Sequence, residues 1–191
     1  MKSKLIMPSH VYGQTQTNLN KKYISQLLAT IELLRRGDIN GAEFSNVTFG
    51  WQSSNLPMNG VFIPLLQTIN EKCLKFCRSI KNFKCNKIDI TNFWANINYK
   101  NDINWPHKHQ GDLSGVLYLQ TKRNSGNLIL QDDSVDLNNN ISKFLSSKST
   151  IGIEPKVNKL VIFDSNLVHL VTKNLNNEPR ISISFNAKVY V

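Results

Sequence analysis

Three histidines and one arginine in the second half of the chain carry side chains suited to metal and carboxylate chemistry. His107 and His109 flank Lys108, and His169 follows sixty residues after His109 inside the apolar run Leu167-Val168-His169-Leu170-Val171. In extended chain, residues i and i+2 share a face, so His107 and His109 can converge on one ion while Lys108 points away. An imidazole buried among leucines and valines needs a polar partner, and a metal would supply it. Each feature alone has an ordinary reading, a surface histidine pair for the first and a hydrogen-bonded core histidine for the second.

Arg180 opens the terminal run Arg180-Ile181-Ser182-Ile183-Ser184-Phe185-Asn186. Strand alternation puts Ile181, Ile183 and Phe185 on one face and Arg180, Ser182, Ser184 and Asn186 on the other. The second face is either the wet side of a half-exposed strand or the wall of a polar cavity. In a cavity, the guanidinium fork of Arg180 binds a carboxylate through two parallel hydrogen bonds, a geometry that lysine does not reproduce, and Ser182 adds a hydroxyl.

The elements that must position these groups change period along the chain. Lys21 to Arg36 places Ile24, Leu27, Leu28, Ile31 and Leu34 at helical spacing, with Asn18 or Asn20 as cap and Gly37 as stop. A second helical stripe runs from Val61 to Ile80 and includes Cys73 and Cys77, whose spacing fits core packing better than a metal site. From Lys87 the period becomes two, with Ile88 and Ile90, then Phe93, Ala95 and Ile97, as short alternating runs. Further strands are expected at Ser114 to Gln120, Asn127 to Gln131, Thr150 to Ile153, Lys159 to Asp164, Leu167 to Thr172 and Arg180 to Val191. Many short strands broken by turn residues argue for a sandwich or barrel, here with helices bracing one side. The stretch Asp132 to Ser149 is expected to be a polar loop able to cover the site; Asp132, Asp133 and Asp136 lack the glycine and spacing of a calcium loop. His10 has no companions and is expected in a loop.

At 191 residues and 40% hydrophobic, the chain suits a single domain, with helical support over about 1–86 and a β core over about 87–191. No run approaches the roughly 20 apolar residues of a membrane span, no secretory leader is evident, and the three cysteines are an odd number, so a reducing, cytoplasmic setting is expected. The formal net charge of +10 raises a nucleic-acid or acidic partner. The basic residues are nevertheless spread from Lys2 to Lys188, and the densest group, Lys72, Lys75, Arg78, Lys81, Lys84 and Lys87, lies on and just after the second predicted helix, whose other face is apolar, which favours a solvated face.

Taken in order, Ser45-Asn46, Gly50-Trp51-Gln52-Ser53, Trp94-Ala95-Asn96-Ile97-Asn98, His107-Lys108-His109, Leu113-Ser114-Gly115-Val116-Leu117-Tyr118-Leu119, Ser125-Gly126-Asn127-Leu128, Leu160-Val161-Ile162-Phe163-Asp164-Ser165, His169 and Arg180 to Asn186 resemble the 2-oxoglutarate and Fe(II)-dependent oxygenases over most of the chain. The resemblance is greatest to phage and bacterial members whose motif reads H-x-H. It implies a mainly β fold with N-terminal helices, a double-stranded β-helix (the cupin-like jelly roll) braced by helices on one sheet, with the metal at its open end. It also implies Fe(II) and 2-oxoglutarate as cofactors, molecular oxygen as reactant, and a hydroxylase that couples decarboxylation of 2-oxoglutarate to succinate with oxidation of a substrate that the sequence does not name. On the matching positions, His107, His109 and His169 hold the ion, Arg180 and Ser182 hold the far carboxylate, and Tyr118 is a further donor. Asn96 and Asn98 either line the pocket or are ordinary sheet residues. The superfamily more often presents His-x-Asp, so Asp112 is an alternative to His109 should its loop turn back. Three neutral imidazoles leave the bare Fe(II) site at +2, which doubly charged 2-oxoglutarate neutralises. A three-histidine cupin-like protein without 2-oxoglutarate, and a basic nucleic-acid-binding module, are the competing readings. A homodimer through the helical side is conceivable, and for a phage-encoded protein the location would be the host cytoplasm.

Overall fold

The computed structural model describes residues 2–7, 10–131 and 150–191, with backbone only for 2–7 and 10. The expected loop from Asp132 to Ser149 and its three aspartates lie outside the described residues. The chain begins with β1 (Lys2–Met7) and β2 (His10–Gln16), then α1 (Lys21–Gly37), the two-residue β3 (Trp51–Gln52) and, after a 3-10 turn over Gly60–Phe62, α2 (Ile63–Arg78). There follow β4 (Lys87–Asn98), β5 (Asn104–His107), β6 (Leu113–Gln120), β7 (Leu128–Gln131), β8 (Thr150–Ile153), β9 (Lys159–Asp164), β10 (Val168–Val171) and β11 (Arg180–Tyr190).

Among the described residues all pairings are antiparallel and form two sheets, a seven-stranded one in the order β1-β2-β9-β6-β11-β4-β3 and a four-stranded one in the order β5-β10-β7-β8. This is the expected jelly roll. The N-terminal region is not purely helical, however: β1, β2 and β3 join the large sheet, and His10 opens a strand instead of lying in a loop.

Strand alternation sorts the large sheet into two faces. Phe93, Ala95 and Ile97 of β4, Leu117 and Leu119 of β6, Leu160 and Ile162 of β9, and Ile183 and Phe185 of β11 form one core with Leu27 and Ile31 of α1 and with Leu65, Ile69, Cys73 and Phe76 of α2. Each such large side chain contributes about 1.5–3 kcal/mol on full burial, so this face fixes the register of everything on the other. Gly115 serves the same packing, since a Cβ there would lie 2.4 Å from the Phe185 ring. The opposite face looks toward the small sheet, where Tyr12, Tyr118, Val161 and Phe163 pack against Leu128, Leu130, Ile153 and Leu167.

The two short runs expected in β4 are one strand. Asn186 of β11 pairs with Asn92 and Ala187 with Ile90, so Thr91 is an extra residue, a bulge that moves the apolar set from Ile88 and Ile90 to Phe93, Ala95 and Ile97 without leaving the core face. The expected helices hold: α1 is capped by Asn20, whose side chain accepts from the Tyr23 N–H, and α2 has a proline in its first turn.

Candidate metal and carboxylate site

Residues that alternation keeps off the helix-facing core meet between the sheets. The cavity is lined by Trp94, Asn96 and Asn98 of β4, Tyr118 of β6, Arg180, Ser182 and Ser184 of β11, and the three histidines, joined by Asn46 and Asn104. His169 of β10 stands opposite His107 of β5 in the small sheet. His109 lies just beyond the end of β5, held by its backbone N–H donating to the Ser165 carbonyl at 3.1 Å. The ring centroids are 4.1 Å apart for His107 and His169, 4.8 Å for His107 and His109, and 5.0 Å for His109 and His169.

One ligand atom from each ring lies within 4.8 Å of the others, the only such group of three or more His, Cys, Asp or Glu among the described residues. His107 Nδ1 donates to the Trp105 carbonyl at 2.6 Å and His169 Nδ1 to the Leu167 carbonyl at 2.9 Å. A carbonyl only accepts, so both rings carry their proton on Nδ1 and present the Nε2 lone pair, the outer-shell arrangement that orients histidine ligands. Burial lowers the pKa of all three; His109 falls to about 4, with His107 adding to the effect, and His169 falls well below the ordinary value. Neutral imidazoles are the form that binds a metal. Three neutral nitrogens at this spacing fit a divalent ion of the iron type, with small side-chain rotations closing on bonds of roughly 2 Å.

Asp112 is not part of the group. Its Oδ2 accepts from the Val189 N–H at 2.8 Å, which ties the loop after His109 to β11. Asn96 and Asn98 line the cavity, and Asn98 is fully buried.

Arg180 is 2% exposed. Its Nη1 donates to the carbonyls of Ser125 at 3.2 Å and Gly126 at 3.3 Å, and its Nη2 to Asn98 Oδ1 at 2.7 Å and Asn104 Oδ1 at 3.4 Å. Among the described residues Nε is buried without a partner, and no carboxylate forms an ion pair with this guanidinium. Burial pushes its pKa down, opposed by Tyr118 and Asp102. A buried charge left unpaired costs several kcal/mol, and an anion in this cradle would offset that cost. Ser182 lies beside Tyr118 in the β11–β6 ladder, and burial pushes the Tyr118 hydroxyl up to about 12, keeping it a protonated donor.

The sequence reading did not single out Asn104 and gave Asn46 no role. Asparagines between strands read as turn formers, and no local signal marks these two as cavity residues.

Residues 92–186, which contain every residue from His107 to Arg180 described above, match the family described as "Putative 2OG-Fe(II) oxygenase". The chain belongs to the 2OG-Fe(II) oxygenase superfamily. As a member it is a 2-oxoglutarate-dependent oxygenase with Fe(II) and 2-oxoglutarate as cofactors. A search of curated protein sequences finds no match. Solved structures share the oxygenase fold. A prolyl-4-hydroxylase from Pseudomonas putida is 16% identical, with 95% of this chain and 92% of that one covered and a TM-score of 0.62. The viral collagen prolyl hydroxylase of Paramecium Bursaria Chlorella virus-1, solved with 2-oxoglutarate, is 15% identical, with 94% and 96% covered and a TM-score of 0.61. HygX from Streptomyces hygroscopicus, solved with nickel, 2-oxoglutarate and hygromycin B, is 10% identical, with 93% and 82% covered and a TM-score of 0.67. At these identities the likeness establishes the fold of the oxygenase, and its substrate is a separate question.

Proposed function

We propose that this oxygenase is a hydroxylase that couples decarboxylation of 2-oxoglutarate to succinate with oxidation of an organic substrate, using His107, His109 and His169 as the metal ligands and Arg180 as the carboxylate anchor. The observation that carries the reading is the pairing, in one cavity, of three convergent neutral imidazoles with a buried guanidinium that among the described residues has no carboxylate in an ion pair with it. Fe(II) at the histidines supplies the oxidising chemistry once 2-oxoglutarate and oxygen are present. The chain's own residues orient and exclude. Arg180 fixes the far carboxylate, Ser182 and Tyr118 stand ready as hydroxyl donors, and Phe163, Val116, Leu128 and Val171 form the dry part of the wall. A cupin-like protein that does not use 2-oxoglutarate would leave the Arg180 charge buried without purpose.

The groove that leads to His107 and His109 is lined by Phe44, Trp94, amides such as Gln52 and Asn92, and one carboxylate, Glu43; among the described residues no lysine or arginine lines it. That composition favours an uncharged polar substrate and argues against nucleic acid, whose binding relies on phosphate contacts. We read residues 1–191 as one domain, because strands from both ends of the chain share the large sheet. No helix among the described residues is long and apolar enough to cross a membrane. Together with three buried free thiols this supports a reducing, cytoplasmic setting.

The test is an anaerobic Fe(II) titration with and without 2-oxoglutarate. A weak visible charge-transfer band on adding the keto acid, followed by succinate release on exposure to oxygen, supports the reading. A fully loaded site that gives neither contradicts it.

A further inference from the structure

A continuous line of side-chain amides joins the arginine to one of the histidines. Arg180 Nη2 donates to Asn98 Oδ1 at 2.7 Å, Asn98 Nδ2 to Asn104 Oδ1 at 2.9 Å, Asn104 Nδ2 to Asn46 Oδ1 at 2.9 Å, and Asn46 Nδ2 to His107 Nε2 at 2.6 Å. The direction of the chain is fixed at both ends. A guanidinium only donates, so Asn98 must turn its oxygen to Arg180, and the Trp105 carbonyl holds the His107 proton on Nδ1, so Nε2 must accept. Every amide between them therefore accepts from the arginine side and donates toward the imidazole.

The last link ends on the nitrogen that a metal would take. We infer that Asn46 is a gate on the metal site: its carboxamide holds the His107 Nε2 lone pair while the site is empty of metal, and metal loading displaces it. The inference rests on the reading of His107 as a ligand. The backbone of Asn46 has no comparable freedom, because the Trp105 N–H donates to the Asn46 carbonyl at 2.9 Å and Val47 bridges to Asn104. Only the side chain can move. The open space next to it is the groove, which shares Asn46, Trp94, His107 and His109 with the inner cavity. Loading thus breaks the hydrogen bond to His107 Nε2 and frees the Asn46 amide NH2 beside the groove, while Asn46 Oδ1 keeps its bond from Asn104 Nδ2.

Full-length protein stripped with a chelator and labelled with 15N tests this, with Zn(II) as a diamagnetic probe. In the metal-free protein, a nitrogen–nitrogen coupling through the hydrogen bond from Asn46 Nδ2 to His107 Nε2 is expected. Zinc abolishes it, and the Asn46 side-chain amide then exchanges faster with solvent. In parallel, Asn46→Ala raises Zn(II) affinity about 3- to 10-fold, the equivalent of one net hydrogen bond that no longer has to be broken. If zinc binds in a His107-dependent way but the coupling is absent beforehand or survives loading, the gate is overturned and the ligand assignment stands. Unchanged or weaker zinc affinity in a folded Asn46→Ala variant overturns it as well. If zinc binding is insensitive to His107→Ala, the ligand assignment fails and the gate fails with it.

Discussion

Arg180 and Asn98 face each other across the β11–β4 ladder, and Arg180 Nη2 donates to Asn98 Oδ1 at 2.7 Å. Asn98 and two backbone carbonyls hold the guanidinium in place, and among the described residues Nε has no partner. Arg180→Lys removes the planar fork yet keeps the charge. The expected result is weaker 2-oxoglutarate binding by about 10- to 100-fold, the worth of one or two hydrogen bonds to a charged group. Calorimetry with 2-oxoglutarate on Ni(II)-loaded protein measures it, and unchanged affinity would remove Arg180 from the carboxylate site.

Gly126 makes that cradle possible. Its φ is +90°, and a Cβ would sit 2.2 Å from the Thr172 carbonyl oxygen and 3.0 Å from Arg180 Nη1. Gly126→Ala should lower stability by about 1–3 kcal/mol through backbone strain and also weaken 2-oxoglutarate binding. Chemical unfolding and the same calorimetry check the two effects.

His169→Ala should abolish stoichiometric metal binding while leaving the metal-free fold intact, since the large sheet and the helices hold the main core. In the wild type, metal at about 100 times its Kd adds about 2.7 kcal/mol of stability by mass action. Thermal unfolding with and without Ni(II) should show that gain in the wild type and none in the variant.

Cys73, Cys77 and Cys85 are buried, and burial pushes the Cys77 thiol up to about 12. In the unfolded chain a thiol ionises near pH 8.5, so the folded state is the more protonated one above that value. The contribution of Cys77 to stability is full below about pH 8.5 and is lost as pH rises toward 12. Native protein should therefore resist alkylation at pH 8 and react only after denaturation; rapid modification of folded protein would contradict the burial.

Much of this arrangement was legible in the residues because the periods are clean. The stripe from Leu65 to Phe76 and the alternation from Arg180 to Asn186 each have one apolar face, which burial locks to the core. The polar face of β11, open to two readings in the sequence, lines the cavity. Other parts carried no local signal. β1 and β2 are held by pairing with each other and with β9, a distant partner that no window of sequence contains. The bulge at Thr91 broke the alternation of β4 into two apparent runs. β5 is four residues long and includes Pro106. Asn46 and Asn104 meet through a bridge between a loop and a strand, so their partnership exists only in three dimensions.

The most direct measurement is a crystal structure grown without oxygen in the presence of Fe(II) and 2-oxoglutarate. One iron bonded at roughly 2 Å to nitrogens of His107, His109 and His169, with the far carboxylate of 2-oxoglutarate against Arg180, is the predicted result. Iron bound elsewhere, Asp112 in the place of His109, or Arg180 facing no carboxylate would contradict the account.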